Sequence, residues 1–272
     1  MINRRSLLIS TTCTVFTFFC GMSPSHSNAR DYTAIVMDAD TSEILHSVNA
    51  EELVHPAGLT KLMTLYVIFD AIEGGEIALD APILISKKAA AEPPVKLGLR
   101  AGQRIKLRYL LRAAGVGGSN DAATAIAEGL SGSEAEFARR MNRMSIKLGL
   151  GLSRWKNAHG LTEKGHLSTA KDLAILMNAH RRDFPDYFNL FSRVKTHAGL
   201  REVTHSGARL LGEIDNTIAV KTGVTRASGF SGVVMTSEEE RNITTVAMGR
   251  YTTRDLIDKL QELISVTTES RR

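Results

Sequence analysis

Three short stretches of the sequence carry side chains that could hold and transform a polar substrate. The first has Lys61 three residues after Gly58, the second contains Asn120, and the third is Lys-Thr-Gly at 221–223. Residues three apart on a helix share one face, so the Lys61 amine could take a proton from a group at position 58. A strand with lysine and threonine could hold a carboxylate, and its glycine would let another backbone approach closely. The three stretches therefore predict one site, provided that the fold brings them together.

The order and spacing of these stretches resemble the S-x-x-K, S-x-N and K-T-G motifs of penicillin-recognising serine acyl-transferases. Flanking residues narrow the resemblance to low-molecular-mass penicillin-binding proteins, the serine-type D-Ala-D-Ala carboxypeptidases of peptidase family S11. The flanking sequences are Leu-Thr-Lys-Leu-Met-Thr at 59–64, Asn-Asp-Ala-Ala at 120–123, Asn-Ala-His-Gly-Leu at 157–161 and Ser-Thr-Ala at 168–170. The resemblance extends over about Tyr32–Gly249.

The resemblance assigns catalytic positions to Gly58, Lys61, Gly118 and Asn120. In the family, the first is a nucleophilic serine whose proton the lysine takes, and the third is a serine that relays protons to the leaving group. The asparagine holds the substrate amide. This chain has glycine at both serine positions, and Ser119 occupies the variable position of the second motif. The usual acyl-enzyme therefore cannot form, and loss of such a nucleophile lowers kcat by about 10⁶-fold in the best-studied case.

The resemblance assigns substrate binding to Lys221, Thr222, Gly223 and Val224. In the family, this strand binds the terminal carboxylate of the substrate. The backbone N–H after its glycine forms an oxyanion hole with the N–H of the nucleophile residue, which Gly58 retains. The expected partners are a D-Ala-terminated peptidoglycan stem peptide or a β-lactam, bound non-covalently at best.

Two functions stay open for such a chain. One is a D-alanyl-D-alanine carboxypeptidase that acts on peptidoglycan stem peptides but is strongly impaired or inactive. The other is a non-catalytic pseudoenzyme that binds D-Ala-terminated peptidoglycan or regulates an active paralogue. A replacement nucleophile is conceivable at Ser119 or Thr60, although Thr60 should point elsewhere on its helix. A class A-like β-lactamase is disfavoured, because no Glu-x-x-Leu-Asn segment lies between Asn120 and Lys221.

The histidines and cysteines do not point to a metal or a cofactor, and the resemblance implies neither. No histidine has the H-E-x-x-H spacing of a zinc site, and the only cysteines are Cys13 and Cys20. His159, in the sequence His-Gly-Leu, is expected to order a loop near the cleft rather than to act as a general base.

Strands near both ends of the chain and helices between them predict one α+β domain, and the resemblance implies a β-lactamase/transpeptidase-like fold. The N- and C-terminal strands would share an antiparallel sheet, with a helical subdomain of about 75–165 inserted against it. Clefts form at such junctions. The predicted strands are Tyr32–Ala39, Glu43–Ser47, Thr217–Val224, Gly229–Thr236 and Asn242–Gly249.

Helical periodicity accounts for most of the segments between these strands. Asn120 is predicted to cap one helix, and Ser133 with Glu136 and Thr169 with Asp172 are predicted to form capping boxes. The predicted helices run from Pro56 to Gly74, over Leu107–Ala114, Asn120–Glu128 and Ser133–Leu148, from Thr169 to about Arg182, and from Thr252 through Ile264.

The first 27 residues are typical of an export signal, which would leave residues 28–272 as a single domain. Arg4 and Arg5 precede an apolar stretch that is too short and too polar for a membrane span of about 20 residues. Ser-His-Ser at 25–27 places small residues where cleavage after residue 27 requires them. The expected location is periplasmic or extracytoplasmic, with no stable membrane anchor after cleavage.

Composition and charge exclude several other classes of protein. Hydrophobic residues make up 43% of the chain and charged residues 23%, which excludes disordered and fibrous proteins. The net charge of +5 comes from 34 basic and 29 acidic residues, and aromatic residues are only 6%, so nucleic acid is not an expected partner. Removal of the export signal takes away two arginines and lowers the charge to +3.

Overall fold

A five-stranded antiparallel sheet joins the two ends of the chain. The computed structural model describes residues 32–238 and 241–269, so the predicted export signal and both cysteines lie outside the described residues. The strands are β1 (Thr33–Asp38), β2 (Ile44–Val48), β3 (Pro82–Leu84), β4 (Arg104–Lys106), β5 (Lys195–His197), β6 (Glu202–Thr204), β7 (Thr217–Thr225), β8 (Gly229–Glu238) and β9 (Arg241–Arg250). The large sheet has the order β2-β1-β9-β8-β7, which confirms that N- and C-terminal strands share it. The two small two-stranded sheets, β3–β4 and β5–β6, were not predicted.

Helices cover both faces of this sheet. The helices are α1 (Thr60–Glu73), α2 (Lys87–Ala91), α3 (Leu107–Gly115), α4 (Asn120–Ser131), α5 (Glu134–Lys147), α6 (Ala170–Asp183), α7 (Pro185–Phe188), α8 (Ala208–Glu213) and α9 (Thr253–Glu269). Strand β1 is buried along its whole length because it faces a core on each side. Its residues Ile35 and Met37 point into the larger core with α1 and α6, and Ala34 and Val36 point into the smaller core under α9.

Helix α1, which carries Lys61, runs through the larger core. Every side chain from Thr60 to Phe69 is buried, because α3, α4, α5 and α6 all pack against the helix. The chain enters α1 through a 3₁₀ turn, Ala57–Leu59. Gly58 therefore lies in a turn just before the helix and not on the helix itself, whereas Lys61 is enclosed within the core.

The ends of the helices only partly match the predicted caps. Ser133 Oγ accepts the Glu136 N–H at 3.2 Å, and Thr169 Oγ1 accepts the Asp172 N–H at 3.0 Å, which confirms the N-cap half of each predicted capping box. The carboxylates of Glu136 and Asp172 accept instead from Arg139 and Ser153. The prediction that Asn120 caps α4 is wrong. The preceding serine is the N-cap residue, and the Asn120 side chain turns away because it has other partners in the site.

The loop between α5 and α6 packs tightly against the 3₁₀ turn. Gly160 in this loop has φ of +90°, and a Cβ there would lie 1.7 Å from the carbonyl oxygen of Ala57. Only glycine permits this approach. The Gly160 N–H donates to Asn157 Oδ1 at 2.7 Å, and Thr60 Oγ1 lies 2.8 Å from His166 Nε2. The loop backbone is thereby held in place beside the first motif.

Substitution of Gly160 by alanine should destabilise the protein, because the new Cβ would overlap a carbonyl oxygen at a left-handed φ. We expect the free energy of unfolding to fall by more than about 2 kcal/mol. Gly151→Ala is the matched control in the same loop, since no heavy atom lies within 4 Å of its Cβ position. Urea denaturation followed by the fluorescence of Trp155, the only tryptophan, measures both variants. Equal unfolding midpoints would contradict the expectation.

Candidate functional site

The three motif stretches meet at a cleft of about 380 Å³ beside β7, the edge strand of the large sheet. The cleft lies where the helical part of the chain faces that strand. Lys221, in contrast, is not part of the cleft lining. The predicted site residues that line the cleft are Gly58, Lys61, Gly118, Asn120, Thr222, Gly223 and Val224.

The Lys61 amine is buried at the cleft wall and has two oxygen acceptors. Its Nζ lies 2.8 Å from Asn120 Oδ1 and 2.6 Å from the carbonyl oxygen of His159. Burial lowers the pKa of Lys61 to about 7, and the negative charges of Glu92 and Asp121 only partly oppose this effect. The amine is therefore neutral in about half of the molecules at pH 7.

Asn120 is held by its own partners on the other side of its amide. Its Nδ2 donates to the carbonyl oxygens of Pro93 and Pro94 at 3.1 and 3.2 Å, and its backbone N–H donates to the Val95 oxygen at 2.7 Å. Because Nδ2 is used in this way, Oδ1 must face Lys61. The Oδ1 atom of Asn120 thus holds the Lys61 amine in position.

The side chains of the third motif divide between the core and the cleft. Lys221 is fully buried, and its Nζ donates to the last carbonyl groups of α3, those of Ala114 at 3.0 Å and Gly115 at 2.6 Å. Burial lowers the pKa of Lys221 well below its ordinary value, and the charge of Lys61 lowers it further. The Thr222 hydroxyl, in contrast, faces the cleft.

The backbone of β7 lies against the turn that carries Gly58. A Cβ on Gly58 would lie 2.7 Å from the carbonyl oxygen of Thr222 and 3.0 Å from the Cα of Gly223. A Cβ on Gly223 would lie 2.3 Å from the Gly58 nitrogen. Two glycines are therefore needed for this approach, and the backbone of β7 occupies the space where a nucleophile side chain would begin. The sequence contained no signal for this contact beyond the glycines themselves.

Position 118, where the resemblance to the family led us to expect a serine, is also shaped for glycine. Gly118 has φ of +72°, and a Cβ there would lie 3.3 Å from the Cβ of Ser206. Sequence reasoning missed Ser206, which belongs to none of the motifs. Its Oγ accepts a hydrogen bond from the Thr222 hydroxyl at 3.4 Å, and it lines the cleft. The two alternative nucleophiles, Ser119 and Thr60, are buried outside the cleft lining.

One buried cluster at the cleft wall has the residue types of a metal site. Glu92, Glu134 and His159 place possible ligand atoms within 4.8 Å of one another. Burial lowers the pKa of His159 to about 4, so its ring is neutral at pH 7. The Leu161 N–H donates to His159 Nδ1 at 3.1 Å, which places the ring proton on Nε2 facing both carboxylates. A metal would need that Nε2 lone pair and would face the Lys88 amine, 2.6 Å from Glu134, so the donor set does not fit a metal.

The fold matches that of known penicillin-binding proteins. Penicillin binding protein 5 from Haemophilus influenzae superposes with a TM-score of 0.81 at 26% identity, over 90% of this chain and 72% of that protein. This similarity confirms the expected β-lactamase/transpeptidase-like α+β fold. Within the described ranges, no helix has an apolar stretch long enough to cross a membrane.

The sequence comparison identifies the family. The Peptidase_S11 model, described as D-alanyl-D-alanine carboxypeptidase, matches residues 21–252, so the chain belongs to this family. D-alanyl-D-alanine carboxypeptidase DacD of Escherichia coli (strain K12) is 30% identical over 275 residues, covering 96% of this chain and 71% of that protein. DacF of Bacillus subtilis (strain 168) is 36% identical over 144 residues, covering 53% of this chain and 37% of that protein. The chain thus spans between 37% and 71% of the length of these two relatives.

A side chain at position 58 should force β7 away from the turn. We expect Gly58→Ser to lower the free energy of unfolding by about 1–3 kcal/mol, because the displaced atoms are backbone atoms of the sheet. Gly212→Ala is the matched control, since no heavy atom lies within 4 Å of its Cβ position, and it should be neutral or slightly stabilising. Urea denaturation of both variants tests this. If Gly58→Ser unfolds with the same free energy as the wild type, then β7 moves aside without loss of stability and the expectation is wrong.

The lowered pKa of Lys61 should make stability depend on pH. The amine titrates near 10.5 in the unfolded chain and near 7 in the folded one, so between these values the unfolded chain holds more protons. Stability should therefore rise with pH, with Lys61 contributing about 4 kcal/mol between pH 7 and pH 10. Below pH 7 the amine is protonated in both states and its contribution is constant.

The comparison of the wild type with Lys61→Met isolates this contribution. Lys221 titrates in the same direction in both proteins, but its pKa is less strongly lowered in Lys61→Met because the charge of Lys61 is gone. The difference between the two proteins therefore contains the titration of Lys61 and its interaction with Lys221, which have the same sign. Urea denaturation at several pH values should give a smaller rise for the variant. Parallel stability curves for the two proteins would contradict the lowered pKa of Lys61.

Proposed function

We propose that this chain binds peptides ending in D-Ala-D-Ala, as peptidoglycan stem peptides do, without forming an acyl-enzyme. The observation that carries the proposal is the contact at Gly58. This position has no hydroxyl, and the Thr222 carbonyl oxygen lies 2.7 Å from the place where a side chain would begin. In this proposal, the chain is a member of the carboxypeptidase family that binds the ligand but does not hydrolyse it.

Family membership and the edge of β7 support the choice of ligand. The relatives named above are D-alanyl-D-alanine carboxypeptidases, and this chain keeps the lysine, asparagine and Lys-Thr-Gly of the family motifs. An edge strand can pair its free backbone groups with an extended peptide. The hydroxyls of Thr222 and Ser206 lie next to that edge and can donate to a terminal carboxylate.

The arrangement of the remaining hydroxyls argues against hydrolysis. Thr60 Oγ1 is paired with His166 Nε2, and Ser119 is buried as the N-cap of α4. Neither replaces the family serine beside Lys61. Loss of the nucleophile alone lowers kcat by about 10⁶-fold in the best-studied case, and this chain lacks the second serine as well.

An export signal at residues 1–27 would bring the protein to the compartment that holds its ligand. Peptidoglycan lies outside the cytoplasm, so a periplasmic or extracytoplasmic location is part of the proposal. A stem peptide would then be available to the cleft.

Binding and turnover can be measured on the same peptide, diacetyl-Lys-D-Ala-D-Ala. We expect saturable binding by calorimetry, no binding of the diastereomer that ends in L-Ala-L-Ala, and no release of D-Ala above the uncatalysed background. Thr222→Val should weaken binding about tenfold, because it removes a hydroxyl that faces the ligand but keeps the shape of the side chain. A fluorescent penicillin should not label the protein covalently at a serine or threonine.

Two results would overturn the proposal. D-Ala release by the wild-type chain would show that catalysis persists. Equal affinity for the two diastereomers would show that the cleft does not recognise the D-Ala-D-Ala end of the peptide. Restoring both hydroxyls, in Gly58→Ser with Gly118→Ser, should leave D-Ala release at background. The first change collides with β7 and the second places a side chain at φ of +72°.

A further inference from the structure

The Lys61 amine has a defined direction in the cleft wall. A neutral amine has two N–H groups and one lone pair. Both N–H groups have acceptors, Asn120 Oδ1 at 2.8 Å and the His159 oxygen at 2.6 Å. The lone pair therefore points along the remaining tetrahedral direction, away from both acceptors. Gly58 lines the same cleft as Lys61 and has no side chain to receive a proton or to cover the amine.

Both acceptors are themselves held in place. The Asn120 amide cannot turn over, because its Nδ2 donates to the oxygens of Pro93 and Pro94. The His159 oxygen belongs to the loop that Gly160 holds against the 3₁₀ turn. An amine held in one orientation loses little entropy when it attacks a bound carbon.

The amine is also neutral often enough to react at pH 7. Burial lowers the pKa of Lys61 to about 7, against the opposing charges of Glu92 and Asp121. Only the neutral form of an amine is a nucleophile, and desolvated lysines are the usual source of it in proteins. An exposed lysine, with a pKa of about 10.4, is neutral in fewer than about one molecule in a thousand at this pH.

We propose that Lys61 is a nucleophile toward small aldehydes and forms an imine with them in the cleft. The nitrogen lone pair adds to the aldehyde carbon, and a proton moves from nitrogen to the former carbonyl oxygen to give a carbinolamine. Loss of one water molecule then forms the C=N bond, so no oxidant or reductant is needed. This activity goes beyond peptide binding and does not depend on it.

The cleft favours an aldehyde that also carries a carboxylate. The Thr222 and Ser206 hydroxyls line the same cleft as Lys61 and lie 3.4 Å apart, close enough to donate to one carboxylate. A cavity of about 380 Å³ holds a molecule of a few carbon atoms without any rearrangement of β7. Glyoxylate has both groups and is the smallest such probe.

Lys221 provides an internal control within the same protein. It resembles Lys61 in being fully buried, in having two carbonyl acceptors and in having a pKa lowered by burial. It differs in that it is not part of the cleft lining. Any reactivity that came from a lowered pKa alone, or from opening of the fold, would affect both lysines.

The test treats the folded full-length chain with glyoxylate and sodium cyanoborohydride at pH 7, which converts each imine to carboxymethyl-lysine. Peptide mass spectrometry then gives a rate for each lysine. We expect Lys61 to react at least about tenfold faster than exposed lysines such as Lys87 and Lys147, and Lys221 to stay unmodified. The Lys61 rate should be half-maximal near pH 7, while the exposed lysines keep accelerating at higher pH.

Three outcomes would overturn the inference. Lys61 could react no faster than Lys87, which would show that the amine is not activated or not reachable. Lys61 and Lys221 could react at the same rate, which would assign the reaction to opening of the fold. Acetaldehyde could react with Lys61 faster than glyoxylate after correction for intrinsic reactivity, which would show that the cleft does not favour an aldehyde with a carboxylate. All three are measured without peptide ligand, so failure of the proposed peptide binding would not affect them.

Discussion

Burial of the Lys61 amine determines how the rest of the site is arranged. An amine enclosed in a core must find oxygen acceptors, because an unpaired buried donor costs several kcal/mol by order of magnitude. Asn120 at the start of α4 and the His159 carbonyl in the loop before α6 supply them. These two hydrogen bonds join the central helix to two segments that are distant in sequence. The cleft lies where these two segments, the start of α1 and β7 come together, and Lys61 is part of its lining.

A second constraint acts from the side of the sheet. The contact between Gly58 and Gly223 brings two backbones closer than any side chain would allow. A side chain at position 58 would therefore need more than room for one oxygen atom, since the strand backbone occupies the space beside the turn. The same holds for Gly118, whose left-handed φ and proximity to Ser206 suit glycine. At both positions the local backbone shape favours glycine.

The Lys61 amine is present in this cleft although position 58 is a glycine. In the family, the lysine is useful because it takes a proton from serine. Here the burial that lowers the pKa of Lys61 to about 7 makes its amine neutral in about half of the molecules at pH 7, with two fixed oxygen acceptors. The cleft still presents Thr222 and Ser206 to a ligand. The proposed peptide binding and the proposed amine reactivity would both use this cleft.

Much of the architecture and most of the site positions could be predicted from the sequence by itself. Runs of strand-forming residues bounded by turns marked the strands, helical periodicity marked the helices, and three motifs identified most of the predicted positions that line the cleft. These features are local or ordered along the chain, so a single sequence records them. Ser133 illustrates this, because a cap depends only on residues three positions away.

Only the tertiary structure decided how the site residues are used. Asn120, which the sequence suggested as a helix cap, accepts a hydrogen bond from Lys61 in the folded chain. The Lys221 amine bonds to carbonyl groups of α3 and does not line the cleft, whereas Ser206, which belongs to none of the motifs, does line it. The tertiary structure also set the approach of β7 to Gly58. Each of these outcomes depends on distances between segments far apart in sequence, and such distances are set by packing, which a single sequence does not record.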